Sequence, residues 1–148
     1  MPYTRLRKGR FSQTGIAYHV TTVTLNRTPH FAELGNGRKV VRELKALQEQ
    51  GKAETLCYVL MPDHLHWLMV LQDDDLPEVM RLLKGRSARA IGQALWQANY
   101  YDHAVRQEED LRKMARYIVA NPLRANLVSR IGDYPLWDAV WLEDTLSG

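Results

Sequence analysis

Four segments of the chain have the residue pattern of β-strands. β-Branched and aromatic side chains are frequent in them, and turn-forming residues separate them, as is typical of strands. The segments are residues 16–25, 55–60, 64–71 and, as a shorter strand, 96–101. Between the second and the third, Met61-Pro62-Asp63 predicts a tight turn, so we expect these two strands to be antiparallel neighbours.

Three further segments have helical spacing. Apolar side chains recur at three- and four-residue steps in residues 38–50 and 76–95. A third helix is predicted from Glu108, because acidic side chains in a first turn suit the helix dipole. We expect Asn36-Gly37 to precede the first helix, and Pro122 to end the third at residue 120 or 121.

The resulting order is strand, helix, strand, strand, helix, short strand, helix. It predicts an α+β fold of the ferredoxin-like, split β-α-β kind, in which an antiparallel sheet of about four strands carries the helices. We expect a single domain over residues 1–148, with a basic arm at 1–13 and a C-terminal tail at 130–148 that packs back on the body.

Composition narrows the class of protein. Hydrophobic residues make up 45% of the 148 positions, which is enough for a core and argues against disorder. The net charge of +3 permits a polyanionic partner without requiring one. The lone Cys57 excludes an internal disulfide framework and fits a reducing cytosol. No apolar run follows the basic arm, and no segment is apolar for long enough to cross a bilayer, so we expect no signal peptide and no membrane partner.

Two histidines in the third predicted strand are candidate metal ligands. His64 and His66 are two residues apart, so both imidazoles project from the same face of the strand, while Leu65 and Trp67 face the core. Neutral imidazoles side by side on a rigid strand are suited to a divalent cation. The alternative is a pair of ordinary histidines on a partly exposed strand.

A tyrosine and an asparagine on the third predicted helix form a second candidate motif. Tyr117 and Asn121 are four residues apart and therefore share a helix face. The phenol is a possible nucleophile, and the carboxamide oxygen suits a hard cation such as Mg²⁺ or Mn²⁺. Two histidines and one amide would leave coordination positions open, as a catalytic site requires. The alternatives are a core tyrosine and an asparagine that caps the end of the helix before Pro122.

Taken together, these motifs resemble the HUH single-tyrosine transposases, and most closely the REP-associated tyrosine transposases. The resemblance covers roughly residues 10–140 in the order of the family. It differs at Asn126, where the family usually has Gly, and in the tail, where Leu136-Trp137-Asp138-Ala139 replaces a Trp-Ser-Ser-type ending. Asn tolerates left-handed backbone geometry, so we expect the first difference to be harmless. The segments that carry the resemblance are Tyr18-His19-Val20-Thr21, Met61-Pro62-Asp63-His64-Leu65-His66, Tyr101-Asp102-His103-Ala104-Val105-Arg106 and the twelve residues from Tyr117 to Val128.

The resemblance implies an enzyme that cleaves and rejoins single-stranded DNA at palindromic, REP-type hairpins. It implies that His64 and His66 bind Mg²⁺ or Mn²⁺, that Asn121 is the third ligand, and that Tyr117 is the nucleophile that forms a 5′-phosphotyrosine link. The link stores the phosphodiester bond, which agrees with the lack of a P-loop motif in the sequence. It further implies a bacterial, nucleoid-associated protein of the cytoplasm that acts as a monomer or a homodimer.

Basic side chains near these motifs are candidate DNA contacts, since phosphate contacts would position a strand without reading its sequence. They lie on the arm, on the second helix, in the segment 101–106 and around the tyrosine. The set is Arg5, Arg7, Lys8, Arg10, Lys84, Arg86, Arg89, His103, Arg106, Arg116 and Arg124. The alternative for each is a solvated surface charge or a local polar network.

Three other interpretations follow from the same residues. One is a domesticated hairpin-binding protein with little or no cleavage activity, and another is a metal nuclease that uses water and needs no Tyr117. The third, a two-histidine phosphoesterase, needs two His-x-Ser/Thr motifs. The chain has only His19-Val20-Thr21, so we interpret His19 as a strand residue with a structural hydrogen bond.

Overall fold

The computed structural model describes residues 15–140 and contains one antiparallel β-sheet of five strands. The strands lie in the order β4-β1-β3-β2-β5, and every neighbouring pair is antiparallel. The first four have the order and connections of a ferredoxin-like sheet, as predicted, and the fifth is added at the edge of β2. Their bounds are β1 Ala17–Val23, β2 Ala53–Met61, β3 His64–Leu71, β4 Tyr101–Val105 and β5 Trp137–Ala139.

Four α-helices accompany the sheet in the described part of the chain. They are α1 Leu34–Glu49, α2 Leu76–Ile91, α3 Glu108–Val119 and the single-turn α4 Asn121–Arg124. The predicted turn at Pro62 and Asp63 is present, and it places Met61 directly opposite His64 in the β2–β3 hairpin.

The two faces of the sheet bury different helices. Leu65 and Trp67 of β3 face a core shared with α1 and α2. Leu68, which has the opposite parity along β3, packs with Ile118 and Val119 of α3 in a second core on the other face. The sheet therefore separates the α1–α2 layer from α3.

The first helix begins earlier than predicted. Asn36 and Gly37 were expected to precede it, but both lie inside α1, which starts at Leu34. Gly37 is buried against Leu136, and a Cβ added there would lie 2.5 Å from Leu136 Cδ1. The glycine is thus required by packing against the C-terminal segment and does not mark a helix boundary.

The second helix and the fourth strand also differ from the prediction. α2 ends at Ile91 because Gly92 adopts a left-handed conformation (φ +92°) that terminates the helix, although apolar residues continue to Leu95. The strand predicted at 96–101 is instead β4, which begins at Tyr101. Trp96 forms only an isolated bridge to Thr24, and its ring packs on Phe31.

The C-terminal part of the chain contains α4 and β5, neither of which was predicted. α3 stops at Val119, and the turn of α4 follows through Pro122, which occupies one of the first helical positions. Asn126 then adopts φ +59°, which confirms that asparagine adopts left-handed geometry at this position. The tail packs back on the body as expected, since β5 pairs with β2.

Within residues 15–140, no helix is both long enough and apolar enough to cross a membrane. The basic arm at 1–13 and the last residues of the tail, 141–148, lie outside the described residues.

Candidate active site

His64 and His66 project from the same face of β3, as the two-residue spacing predicts. Their ring centroids are 5.0 Å apart and the rings are nearly perpendicular. They share parity with Leu68, so they lie on the sheet face that α3 covers. The histidine pair and the tyrosine helix therefore belong to the same side of the molecule.

A carboxylate fixes the orientation of His64. Nδ1 of His64 lies 2.7 Å from Oδ1 of Asp63, and Arg27 Nη1 donates to the other oxygen of the same carboxylate at 3.1 Å. Burial raises the pKa of Asp63, but the hydrogen bonds from His64 and Arg27 outweigh it and hold that pKa below its usual value. An ionised Asp63 accepts the Nδ1–H of His64 and leaves the Nε2 lone pair for a ligand.

His66 is held by two residues of the neighbouring strand β1. Its Nδ1 lies 3.0 Å from Nε2 of His19 and 3.2 Å from Oγ1 of Thr21, the residue directly opposite it in the β1–β3 register. This contact agrees with the expectation that His19 makes a structural hydrogen bond. The engaged Nδ1 leaves Nε2 of His66 for other partners.

Burial keeps His66 and His19 neutral. It lowers the pKa of His66 to about 3, and the nearby charges of His64, His19 and Arg124 add to the effect. Burial also lowers the pKa of His19 to about 4, with a smaller contribution from His103. A neutral imidazole is the form that binds a metal ion, so His66 would not have to lose a proton to bind one near neutral pH.

The donor set fits a hard or borderline divalent cation with a partly open coordination sphere. It offers two imidazole nitrogens with carboxylate or strand partners behind them. Among residues 15–140, no group of three or more His, Cys, Asp or Glu side chains is placed to hold a metal ion. A third protein ligand from this region would therefore have to be of another type, such as the amide predicted at Asn121.

Asn121 has a role at the end of α3. Its Nδ2 donates to the carbonyl of Ile118 at 3.0 Å, which satisfies one of the free carbonyls at the helix terminus. This is the capping contact that was considered as the alternative for Asn121. A ligand role would use the amide oxygen of the same side chain, and it stays a prediction.

Tyr117 projects from α3 toward solvent, with 57% of its surface exposed, so it is not the core tyrosine of the alternative interpretation. Its helix neighbours Ile118 and Val119 are buried against the sheet. The guanidinium of Arg124 stacks on the phenol ring, with Cζ 4.0 Å from the ring centroid. The charge of the same arginine makes a small contribution to the lowered pKa of His66.

A groove of about 610 Å³ between β4 and α3 contains residues of both motifs. Tyr117 lines it from the helix and His19 from the sheet, and His103, Arg106 and Lys113 add polar and basic side chains. Because His19 contacts His66, the groove connects the tyrosine side of the site with the histidine side.

The predicted DNA contacts fall into two groups. His103 and Arg106 line the groove, and Arg116 and Arg124 flank Tyr117 on α3 and α4. By contrast, α2 lies on the opposite side of the sheet from the histidines, and it carries the predicted contacts Lys84, Arg86 and Arg89. The four arginines and lysines predicted on the arm, Arg5, Arg7, Lys8 and Arg10, lie outside the described residues.

Two of the predicted DNA contacts on α2, Lys84 and Arg86, have structural partners. Lys84 Nζ donates to the backbone carbonyls of residues 97, 98 and 99 at 2.7, 3.2 and 3.1 Å, and burial lowers its pKa. Arg86 donates to Gln50 Oε1 at 2.9 Å. These contacts support the interpretation of both residues as local polar partners.

Sequence reasoning missed the residues that orient the histidines. Asp63 was interpreted only as a turn residue, although its position directly before His64 could have indicated a carboxylate partner for that imidazole. The pairing of Thr21 and His19 with His66 depends on the β1–β3 register, and no local pattern reveals that register.

Comparison with known families identifies the chain's relatives. The family model described as Transposase IS200 like matches residues 12–121. The REP-associated tyrosine transposase of Escherichia coli K12 is 32% identical in an alignment 85 residues long that covers 55% of this chain and 52% of that protein. A provisionally named REP-associated tyrosine transposase of Haemophilus influenzae is 26% identical over 99 residues, covering 55% of this chain and 56% of its own. The alignments thus span about half the length of the curated relatives.

The fold has a solved counterpart. The structure of a REP-associated tyrosine transposase bound to a REP hairpin matches with a TM-score of 0.74 and 23% identity. The match covers 84% of this chain and 77% of that one. At this level of identity the likeness concerns the fold.

Proposed function

The chain belongs to the IS200-like transposase family, and we propose that it cleaves and rejoins single-stranded DNA beside REP-type hairpins through a covalent bond to Tyr117. The main support for the proposal is that α3, which carries Tyr117, packs on the same face of the sheet from which His64 and His66 project. The relative whose structure contains a REP hairpin motivates the choice of DNA. The partner is hairpin DNA with an unpaired flank, and the protein acts as a monomer or a homodimer.

His64, His66 and Asn121 would hold Mg²⁺ or Mn²⁺. When bound, such a cation supplies Lewis acidity that polarises a phosphate oxygen and neutralises charge that develops there. The support for this assignment is the neutral state of His66 and the carboxylate behind His64, which together present Nε2 lone pairs.

Tyr117 would act as the nucleophile in a transesterification. Its Oη forms a bond to phosphorus, the bond from phosphorus to the 3′ oxygen breaks, and the phenolic proton is released while the leaving oxygen becomes a 3′-hydroxyl. The product is a 5′-phosphotyrosine with one phosphoester bond gained for one lost. Attack by a 3′-hydroxyl reverses the step, so rejoining needs no nucleotide cofactor.

The groove beside Tyr117 would position the DNA. His103 and Arg106 lie on its wall, where they can contact backbone phosphates. Aligning the phosphate with the phenol is a large part of the catalytic effect, since a well-oriented intramolecular attack has a high effective concentration.

The test is a covalent-adduct assay with labelled hairpin DNA and Mn²⁺, read on a denaturing gel. We expect a protein–DNA adduct and a free 3′-hydroxyl fragment, both lost with Tyr117→Phe and with excess EDTA. Tyr101→Phe is the matched control, because Tyr101 is another exposed tyrosine (76%) and lies on the edge strand β4.

The alternative functions give different results. DNA binding without cleavage under all conditions would mean a domesticated hairpin-binding protein. Cleavage without attached protein, independent of Tyr117, would mean a metal nuclease that uses water. An adduct that survives Tyr117→Phe but disappears with Tyr101→Phe would assign the nucleophile to β4.

A further inference from the structure

Arg124 makes two contacts with Tyr117 at once. Its guanidinium carbon lies 4.0 Å from the centroid of the phenol ring, and its Nη2 donates to the backbone carbonyl of Tyr117 at 2.7 Å. One side chain therefore grips both the ring and the main chain of the same residue. The planar, five-donor guanidinium can stack on a ring while it donates hydrogen bonds in its own plane, which the ammonium of lysine cannot do.

The break between α3 and α4 makes these contacts possible. α3 ends at Val119, and the single turn of α4 begins at Asn121 with Pro122 near its start. This turn brings residue 124 back over residue 117, where its guanidinium can reach the terminal carbonyls of α3. The Asn-Pro step thus has a consequence for Tyr117 as well as for Asn121.

The side chain of Tyr117 is largely exposed to solvent. More than half of its surface is exposed, while Ile118 and Val119 next to it are buried against the sheet. An exposed tyrosine ring ordinarily samples several rotamers, and an enzyme with such a nucleophile loses rate whenever the ring points away from the phosphate.

We propose that Arg124 is a positioning residue that holds the ring of Tyr117 in its reactive orientation by stacking on it. The inference rests on the function proposed above, in which Tyr117 is the nucleophile. It differs from a DNA-contact role, since it acts on the nucleophile and changes the rate of adduct formation more than the affinity for DNA.

The competing explanation is a simple helix cap. A cation that donates to the last carbonyls of α3 would stabilise the helix terminus without any effect on the ring. Lysine can supply such a cap, because its ammonium donates to carbonyls and carries the charge, but it lacks the planar group that stacks. Arg124→Lys therefore separates capping from stacking.

The experiment compares wild type with Arg124→Gln, Arg124→Lys and Arg130→Gln. For each protein it measures the dissociation constant of hairpin DNA, the rate of adduct formation at saturating DNA and the midpoint of unfolding. Arg130 is a matched control, an exposed arginine whose Nη2 pairs with Asp133 at 3.5 Å. We expect Arg124→Gln to lower the rate by about tenfold to a hundredfold, the loss typical of a misplaced reactive group, with DNA affinity close to that of wild type. Arg124→Lys should recover the unfolding midpoint but only part of the rate.

A second readout needs neither metal nor DNA. In the metal-free protein, the ring current of Tyr117 should shift the side-chain proton resonances of Arg124 upfield in an NMR spectrum, and Tyr117→Leu should remove the shift. The same substitution should leave the Arg130 resonances unchanged.

Several results would overturn the inference. They are full recovery of the rate by Arg124→Lys, a normal rate at saturating DNA with weakened affinity in Arg124→Gln, or no upfield shift in wild type. Failure of the wild-type protein to form any adduct would instead count against the proposed function, and the ring-current measurement would still decide whether Arg124 holds the ring.

Discussion

Acidification should destabilise the metal-free protein through His66. The pKa of His66 is lowered from 6.5 to about 3, so between these values the unfolded chain binds a proton that the folded chain does not. Stability is therefore fully present above about pH 6.5 and declines as the pH falls toward the folded-state pKa. One pKa unit corresponds to about 1.4 kcal/mol.

The size of the effect follows from that shift. Between pH 7 and pH 5, His66 should remove about 2 kcal/mol from the free energy of unfolding. His19 is lowered to about 4 and adds in the same direction, but its greater contact with water reduces its share to roughly 1 kcal/mol. Asp63 is lowered below its usual value, so it titrates mainly below this window.

Urea-induced unfolding at a series of pH values, with EDTA present throughout, measures the effect. Wild type should lose about 3 kcal/mol between pH 7 and pH 5, whereas His66→Gln should lose only about 1 kcal/mol. His30→Gln serves as the control, because His30 lies on a short 3-10 turn outside the sheet that carries His19 and His66, and we expect this variant to lose as much stability as wild type. Equal losses in wild type and His66→Gln would refute the argument that burial keeps His66 neutral.

Two packing contacts and one left-handed backbone position give further predictions, each measured by chemical denaturation. Gly37→Ala should lower the free energy of unfolding by about 1–2 kcal/mol, because the added methyl group clashes with Leu136. In a Leu136→Ala background, where that clash is absent, the same substitution should raise it by about 0.5 kcal/mol. Equal effects in both backgrounds would contradict the close approach of Gly37 to Leu136. Asn126→Ala should cost about 1 kcal/mol because residue 126 has φ +59°, while Asn126→Gly should be nearly neutral; the reverse order would argue against a left-handed backbone there. Trp67→Phe should lower the free energy of unfolding by about 1–3 kcal/mol, since it removes the Nε1–H donor to Thr55 Oγ1 and leaves a cavity. Thr55→Val should lower it by less. No change with Trp67→Phe would show that the indole ring is loosely packed.

The elements with strong periodic patterns were predictable from the sequence. β3 has the predicted bounds, and β1, β2 and α3 differ by no more than two residues at either end. In each of these, local residue preference agrees with the final packing, so a local rule is sufficient.

The wrong predictions for Gly37 and Trp96 share one physical cause, which is packing between distant parts of the chain. Gly37 seemed a helix boundary because its contact with Leu136, about a hundred residues later, cannot be read locally. Trp96 seemed a strand residue because aromatic side chains favour strands, but its ring packs on Phe31 and its Nε1 donates to Ser87. β5 was missed because a three-residue strand carries too little pattern to detect.

The candidate site shows the same division between local and distant information. The spacing of His64 and His66 and of Tyr117 and Asn121 follows from strand and helix geometry, so the sequence alone indicated which side chains face together. Whether the two pairs share a side of the sheet depends on the parity of β3 relative to α3, which the packing of Leu68 with Ile118 decides. The partners that set the imidazole orientation depend on a third factor, the register of β1. A one-residue slip of that register would turn His19 and Thr21 to the opposite face and remove both contacts with His66, so the conformation of the candidate metal ligand is determined by the strand pairing as much as by its own motif.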